Sequence, residues 1–248
     1  MSAPPSGAPI ALITGAARRV GAVIARRLHA EGYCLALHYR SSTDEMLALE
    51  QELEAARPGS VLAIRAELAD PGADAVLVSS TLARFGRLDA LINNASSFYR
   101  TPIGDTGQDD WDQLFASNAR APFFLSQAAA PHLRATRGCI VNLVDVYAER
   151  PLAEHTVYCM AKAALLMMTL SLAKELGPEV RVNAVAPGAV LWPESGKPSA
   201  EQQILLDKTT LKRPGRPEDV AEAIAYLLRA EYTSGQVLRV DGGRAVNM

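Results

Sequence analysis

The chain has 248 residues, of which 49% are hydrophobic and 21% are charged, and its formal net charge at pH 7 is −2. This length fits one α/β domain with a large core, and the near-neutral charge gives no sign of a nucleic-acid or anionic-membrane surface. The three cysteines have neither CxxC nor Cys/His spacing, so we expect no metal site.

Residues 1–9 carry neither the charged region nor the apolar region of a signal peptide. We therefore expect a short flexible tail before a single domain at residues 10–248. We find no apolar run of the roughly 20 residues that a membrane span needs. The protein is accordingly expected to be cytoplasmic.

Short apolar segments alternate with helical segments along the chain. The predicted strands are residues 10–14, 34–39, 61–67, 88–93, 139–143, 180–186 and 236–240. The predicted helices are residues 21–31, 43–57, a segment ending near residue 85, a broken stretch at 109–134, a helix that carries Tyr158 and runs to about residue 176, and 217–230. Pro122 and Pro131 mark breaks or helix starts in the broken stretch. This alternation predicts a doubly wound parallel sheet, covered on both faces and joined by right-handed crossovers.

Residues 14–21, which read TGAARRVG, join the first strand to the first helix. Gly15 permits a tight turn, and the helix N-terminus offers N–H groups to a pyrophosphate, as in Rossmann-type folds. Arg19 replaces the middle glycine of the usual pattern beside Arg18, so cations lie where phosphates would bind. Val20 is a further candidate cofactor contact. The alternative is a strand-to-helix turn without a binding role, but the position of the loop directly after the first strand favours a cofactor loop.

The second strand ends in His38, Tyr39, Arg40, Ser41 and Ser42. NAD-preferring Rossmann folds place an acidic residue here for the ribose 2′-hydroxyl, whereas an arginine accommodates a 2′-phosphate. No acid is present, so this segment predicts NADP(H) as the cofactor. The alternative is that Arg40 merely begins a solvated loop.

Tyr158 and Lys162 are four residues apart and therefore share one face of a helix. An ammonium nearby favours the phenolate, so we expect Lys162 to lower the pKa of Tyr158 from its usual value of about 10. That shift would make Tyr158 a better acid–base group at neutral pH. Two surface residues on a helix are the alternative for an isolated YxxxK pair.

Further motifs stand in a fixed order around this pair. They are Asn94 and Ala95 at the end of the fourth strand, Asn118 in the central helix, and Pro187 with Gly188 after the sixth strand. In this order and spacing, residues 14–243 resemble the short-chain dehydrogenase/reductases. The resemblance implies that these residues bind the cofactor together with the glycine loop, and that Lys162 binds the nicotinamide ribose.

Two features depart from that family. Glu67 stands where many relatives have an aspartate that contacts adenine, and we expect the longer acid to be tolerated. Residues 187–210 form a candidate substrate loop, but this segment varies among relatives, so its contacts do not transfer.

Asp145 lies thirteen residues before Tyr158, at the position where the resembled family carries a serine hydroxyl that helps hold a carbonyl oxygen. A carboxylate would repel an oxygen that gains negative charge during ketone reduction. It suits a substrate whose ring nitrogen is protonated or held through its N–H groups. The alternative is a turn or cap residue, a role that aspartate often fills after a strand.

With this replacement the resemblance narrows to the pteridine reductases. It rests on Arg19, His38, Tyr39, residues 94–99, Asp145 and residues 158–162. The resemblance implies that the ring of Phe98 and the nicotinamide hold the pterin between them, and that Ser96 contacts both cofactor and substrate. Arg19, Asp145 and Tyr158 complete the expected substrate contacts. Core packing is the alternative for Phe98.

The sequence therefore predicts NADPH-dependent reduction of a pteridine C=N bond, with Asp145, Tyr158 and Lys162 as catalytic residues. Tyr158 and Asp145 would relay a proton to ring nitrogen, and Asp145 must either have a raised pKa or act as an acceptor. A short-chain reductase of a carbonyl or quinone is the main alternative, and a non-enzymatic NADP(H)-sensing module is a remote one.

The helix after Tyr158 is apolar nearly all round, and one face of a sheet cannot cover so much apolar surface. Together with the resemblance this predicts a homotetramer, unless the helix is sunk within the monomer.

Overall fold

Seven strands form one sheet within residues 7–190 and 199–247, which the computed structural model describes. They are β1 (Ile10–Ile13), β2 (Cys34–Tyr39), β3 (Val61–Arg65), β4 (Ala90–Asn93), β5 (Cys139–Leu143), β6 (Arg181–Pro187) and β7 (Val237–Val240). All neighbouring pairs are parallel, in the order β3-β2-β1-β4-β5-β6-β7. The predicted doubly wound sheet of a single Rossmann-type domain is confirmed.

The helices are α1 (Arg19–Ala30), α2 (Thr43–Ala56), α3 (Ala73–Phe85), α4 (Gln108–Phe115), α5 (Ala121–Thr136), α6 (Thr156–Glu175), α7 (Ser199–Asp207) and α8 (Pro217–Arg229). The predicted break near Pro122 is a π-helical segment at Ala116–Arg120. Pro122 lies in the first turn of α5, as a helix start, whereas Pro131 lies inside α5 and marks neither a break nor a start, contrary to our prediction. Helix α7 falls within the predicted substrate loop, whose residues 191–198 lie outside the described part of the chain, as do residues 1–6 of the predicted tail.

Both faces of the sheet are covered, as the unbroken apolar strands require. Leu12 and Ile13 are successive residues of β1 and therefore point to opposite faces. Ile13 belongs to a buried cluster with Leu28 of α1 and Ile224 of α8. Leu12 belongs to a second cluster with Leu77 of α3 and residues of α5. Two helical layers thus enclose the sheet and leave its carboxyl edge as the place for a site.

The strand order changes direction at β1, which pairs with β2 on one side and with β4 on the other. Open α/β sheets bind ligands outside the carboxyl ends of the strands at such a switch point. A cavity of about 450 Å³ opens there. The fold therefore positions the candidate site between the glycine loop and the ends of β4, β5 and β6.

Helix α6 is, by length and composition, apolar enough to cross a membrane, and 33% of its apolar window is buried. This corrects our expectation that no segment would reach such a length. Tyr158 and Lys162 are buried on its inner side, where α6 packs against β6, as in a core helix. Met160, Met167 and Leu170 are exposed on its outer side.

Candidate active site

The cavity gathers most of the predicted cofactor residues. Its lining includes Gly15, Arg19, Val20, His38, Tyr39, Arg40, Ser41, Glu67, Asn94, Ala95, Lys162, Pro187 and Gly188, together with Ser96 and Tyr158. Three predicted site residues, Phe98, Asn118 and Asp145, lie outside this lining. Ser97, from the motif at residues 94–99, also lines the cavity, as do Ser117 and Val190, which no sequence motif indicated.

The glycine loop is built for close backbone packing. Gly15 has φ +63°, and a Cβ at Gly21 would collide with the carbonyl oxygen of Gly15. Arg19 also has a left-handed backbone, with φ +54°, at the position where the usual pattern has glycine. That conformation costs an L-residue about 1–2 kcal/mol. Because this strained residue lines the cavity, it is a candidate for a functional role.

His38 supports the loop from below. Its Nδ1 accepts a hydrogen bond from the backbone N–H of Gly15 at 3.1 Å, and its Nε2 lies 3.2 Å from the carbonyl oxygen of Ala66. These partners require a neutral ring with the proton on Nε2, and burial lowers the pKa of His38. Both polar atoms of His38 bind protein and hold the glycine loop, while the residue also lines the cavity, so its cofactor contact stays a prediction.

Asn94 also holds the loop rather than facing outward. Its side-chain amide donates to the carbonyl oxygens of Thr14 at 2.8 Å and Gly15 at 3.0 Å. The Thr14 hydroxyl in turn accepts from the backbone N–H groups of Asn94 and Ala95, both at 3.0 Å. The ends of β1 and β4 are thereby fixed to each other, and only the remaining surface of Asn94 is left for the cofactor.

Asn118 lies in the π-helical segment and is fully buried. Its amide donates to the carbonyl oxygens of Ser97 and Leu114, both at 3.0 Å, and its Oδ1 accepts from the Ser96 hydroxyl at 2.7 Å. These polar atoms hold the loop after β4, so the cofactor contact of this side chain stays a prediction. Its neighbour Ser117 lines the cavity instead. A π-helical bulge often marks a functional site.

Arg40 and Glu67 meet at the β2–β3 end of the cavity. Arg40 Nη1 lies 3.7 Å from Glu67 Oε2, and both side chains are largely exposed. An exposed ion pair contributes little to stability. Both residues line the cavity, so an acidic neighbour shares the guanidinium there.

The centre of the site is a contact between Tyr158 and Asp145. The Tyr158 hydroxyl donates to Asp145 Oδ2 at 2.8 Å, and the backbone N–H of Tyr147 donates to Asp145 Oδ1 at 2.9 Å. Lys162 Nζ donates to the carbonyl oxygen of Leu143 at 2.8 Å and lies 5.8 Å from the centre of the Tyr158 ring. Asp145 is thus both a cap of the turn at Val146–Ala148 and the partner of the tyrosine.

Burial controls the ionisation of all three groups. It raises the pKa of Tyr158 well above its ordinary value, and the charge of Asp145 adds to this effect. Burial also raises the pKa of Asp145, and it lowers the pKa of Lys162 to about 8. Our expectation that Lys162 lowers the pKa of Tyr158 is therefore wrong for this arrangement, because the nearest charge to the hydroxyl is a carboxylate. Tyr158 is a neutral hydroxyl at neutral pH.

Phe98 stands beside this centre and is 47% exposed. Its ring stacks on His155 with centroids 4.7 Å apart and planes at 16°, and meets the Tyr158 ring edge-on at 4.8 Å. The backbone N–H of Thr101 donates to the carbonyl oxygen of Glu154 at 2.6 Å, which fixes the loop to the start of α6. His155 was missed from sequence, although it lies one helical turn before Tyr158.

A parallel α/β sheet with a glycine loop at its switch point and a buried Tyr–Lys pair beside the cavity defines a nicotinamide-dinucleotide oxidoreductase. Residues 15–245 match a family model described as enoyl-(acyl carrier protein) reductase. The chain belongs to the short-chain dehydrogenase/reductase superfamily, as the sequence motifs predicted. The cavity and its donor set fit a dinucleotide: N–H groups at the start of α1, cations near the phosphate positions, and Lys162 at the inner end.

The similar proteins differ in what their names say they act on. The chain is 36% identical to pteridine reductase 1 of Leishmania tarentolae in an alignment 277 residues long, which covers 95% of this chain and 96% of the relative. It is 37% identical to a putative ketoacyl reductase 2 of the granaticin polyketide synthase of Streptomyces violaceoruber, with the same coverage. It is 33% identical to a 3-oxoacyl-[acyl-carrier-protein] reductase of Staphylococcus aureus, over 94% of this chain and 96% of the relative. These relatives show that the chain is an oxidoreductase of this superfamily, and their names differ on the substrate.

Proposed function

We propose that the protein is an NADPH-dependent reductase of pteridine rings, which reduces a ring C=N bond. The observation that carries the proposal is the 2.8 Å contact between the Tyr158 hydroxyl and Asp145. A ketone reductase needs hydroxyl donors around an oxygen that becomes negative. Here the second group is a partly buried carboxyl. As a carboxylate it would repel that oxygen, and as a carboxylic acid it can supply a proton to nitrogen.

The proton moves along this contact. Because burial raises the pKa of Asp145, the carboxyl can hold a proton at a pH where an exposed aspartate has lost it. The protonated Asp145 then donates to Tyr158, whose hydroxyl turns toward the substrate and gives its proton to ring nitrogen. Tyr158 never has to remain a phenolate, which its raised pKa would oppose. Bound NADPH supplies the hydride for the adjacent ring carbon.

Lys162 holds the inner end of the site. Its ammonium, which donates to Leu143, lies beside Tyr158 and lines the cavity, where it would bind ribose hydroxyls of the cofactor. Phe98 presents an aromatic face next to Tyr158, and a planar pterin stacked there would be oriented for attack. Ser96, after β4, and Arg19, in the glycine loop, supply further polar groups in the cavity lining.

The preference for NADPH is supported by the end of β2. Arg40 lines the cavity with Ser41 and Ser42, and residues 38–42 include no acidic side chain. Guanidinium–phosphate contacts are charge-assisted and strong. Glu67 shares the guanidinium and therefore weakens this preference without reversing it.

A reductase of acyl-carrier or other carbonyl substrates is the second candidate, favoured by the family model and by two of the three relatives. Asp145 is the feature that this candidate leaves unexplained. The test is oxidation of NADPH by the purified protein with dihydrobiopterin, dihydrofolate, a quinone and a 3-oxoacyl thioester in parallel, repeated with NADH. We expect turnover of the pterins and a preference for NADPH. Turnover of the quinone or thioester without the pterins would replace the proposal by the second candidate.

We further propose a homotetramer in which the outer faces of α5 and α6 meet a second copy. The exposed apolar residues there are Phe123, Phe124, Met160, Met167 and Leu170. Single exposed apolar residues are common, but a set on two long helices is typical of an interface. Light scattering coupled to gel filtration should give four times the 26.5 kDa chain mass. A monomer would contradict this assembly.

A further inference from the structure

Arg244 is a buried cation that the proposed reaction leaves unexplained. It begins the short helical turn Arg244–Val246 after β7, and its exposure is only 4%. A buried guanidinium is costly unless acceptors meet its N–H groups. Its contacts in the described part of the chain are an aromatic hydroxyl, an aromatic ring and a backbone carbonyl.

The first two contacts lead to the catalytic carboxyl. Arg244 Nη2 donates to the Tyr147 hydroxyl at 2.9 Å, and the guanidinium carbon lies 5.8 Å from the centre of the Tyr147 ring. The backbone N–H of Tyr147 donates to Asp145 Oδ1, while Asp145 Oδ2 accepts from Tyr158. Arg244 therefore grips the same residue whose backbone orients Asp145.

The third contact leads to α7. Arg244 Nη1 donates to the carbonyl oxygen of Leu205 at 3.2 Å, in the last turns of this helix. The segment after α7 also packs against the residues that precede Arg244, since the Leu211 N–H donates to the Gly242 carbonyl oxygen at 3.0 Å. A Cβ at Gly242 would come within 2.9 Å of Thr209, so a glycine is needed for this close approach.

We propose that Arg244 is a positioning residue that joins α7 to the catalytic centre, so that the seating of α7 fixes the orientation of Asp145. The inference rests on the proposed role of Asp145. If α7 moves away, the guanidinium loses the Leu205 carbonyl as an acceptor, and its hydrogen bond to the Tyr147 hydroxyl is less firmly positioned. The turn at Val146–Ala148 is then free to rotate, and the Tyr147 N–H no longer fixes Asp145. Substrate that orders α7 would in this way complete the proton relay.

Arg244 also acts on Asp145 through its charge. The ionisable groups that face Asp145 are Tyr158, Lys162 and Cys159 on α6, Tyr147 on the adjoining turn, and Arg244 on the C-terminal turn. Burial raises the pKa of Asp145, and the cation of Arg244 opposes that effect. Removal of the cation should therefore raise the pKa of Asp145 further. Because the protonated carboxyl is the active form, the fall of activity at rising pH should move to higher pH.

The test compares Arg244→Leu, Arg244→Lys and Tyr147→Phe with a matched surface variant, Arg229→Leu. Arg229 forms an exposed ion pair with Glu31, so its loss removes one guanidinium without touching the site. We expect Arg244→Leu to lower kcat for the pterin about tenfold, the effect of one lost charge-assisted hydrogen bond, with NADPH affinity unchanged. Arg244→Lys should keep the wild-type pH profile because the charge remains. In the double variant Arg244→Leu/Tyr147→Phe the losses should not add.

Hydrogen exchange provides a readout that does not depend on turnover. Faster exchange at both residues 146–148 and residues 199–207 in Arg244→Leu, with wild-type exchange there in Arg229→Leu, supports the coupling even if the wild-type protein reduces no pterin. In that event only the proposed function fails. Unchanged exchange at both segments, an unmoved pH profile, or additive losses would overturn the coupling. Arg244→Lys and Tyr147→Phe decide the matter if Arg244→Leu does not fold.

Discussion

The hydroxyl of Tyr158, which is buried on the inner side of α6, donates to the partly buried carboxyl of Asp145 at 2.8 Å. One proton can occupy either side of such a contact, because each oxygen can donate or accept according to its protonation state. Burial favours the neutral form of both groups. The pair is therefore suited to passing a proton to a substrate atom.

The first prediction concerns pH. Activity with a pterin should fall as pH rises through the raised pKa of Asp145, because the carboxyl then loses the proton that it relays. The midpoint should lie above the usual aspartate value of about 3.9. Single-turnover rates measured across pH, with saturating NADPH, check this. An activity that rises with pH over the same range would contradict the relay.

The second prediction concerns Lys162 and stability. Its pKa in the folded protein is about 8, below the value of about 10.4 in an unfolded chain. Between these values the unfolded chain binds more protons, so stability rises with pH in that window. As pH rises from about 8 to 10.4, the free energy of unfolding of the wild-type protein should therefore increase by up to a few kcal/mol relative to that of Lys162→Met. Urea unfolding of both proteins at several pH values measures the difference, and a constant difference would contradict the buried, shifted ammonium.

The third prediction concerns the cofactor. Arg40→Ala should raise KM for NADPH roughly 10–100-fold, the value of a charge-assisted contact, and leave KM for NADH nearly unchanged. Glu67→Gln should lower KM for NADPH severalfold, because it releases the guanidinium from its carboxylate. The two variants serve as opposite controls in one assay. Equal changes in KM for NADPH and NADH would show that Arg40 does not bind the 2′-phosphate.

The fourth prediction concerns Phe98. Phe98→Leu should lower kcat/KM for a pterin about tenfold through lost stacking, while Phe98→Tyr should retain most of the activity. NADPH binding, followed by fluorescence, should not change in either variant. Loss of stability in Phe98→Leu with normal kinetics of the remaining folded protein would show that Phe98 only packs against His155.

The sequence predicted the fold closely because each strand is a short apolar run and each helix ends at a recognisable stop. It also placed the glycine loop, Tyr158, Lys162 and Asp145, whose spacing is local. It assigned His38 and Asn118 to the cofactor, although their polar atoms bind the protein. Which partner a polar side chain takes is decided by elements far apart in the chain.

The same limit applies to electrostatics and to long-range contacts. The i, i+4 spacing of Tyr158 and Lys162 predicted a lowered tyrosine pKa, but burial and the approach of Asp145 reverse the sign. Arg244 lies 97 residues from Tyr147, and no pattern in either segment connects them. Such pairs become visible only when the sheet brings the ends of β5 and β7 to one edge.

Asp145 is the most direct test of the whole account. Pterin reduction and NADPH affinity should be measured for Asp145→Ser and for Asp145→Asn, which keeps the acceptor for the Tyr147 N–H but cannot relay an acid proton. We predict that both variants lose pterin turnover by roughly 100-fold or more, the contribution of general acid catalysis, while the Kd for NADPH stays within about twofold. Wild-type turnover in Asp145→Asn, or loss of NADPH binding in parallel with activity, would contradict a proton relay and leave Asp145 as a cap of its turn.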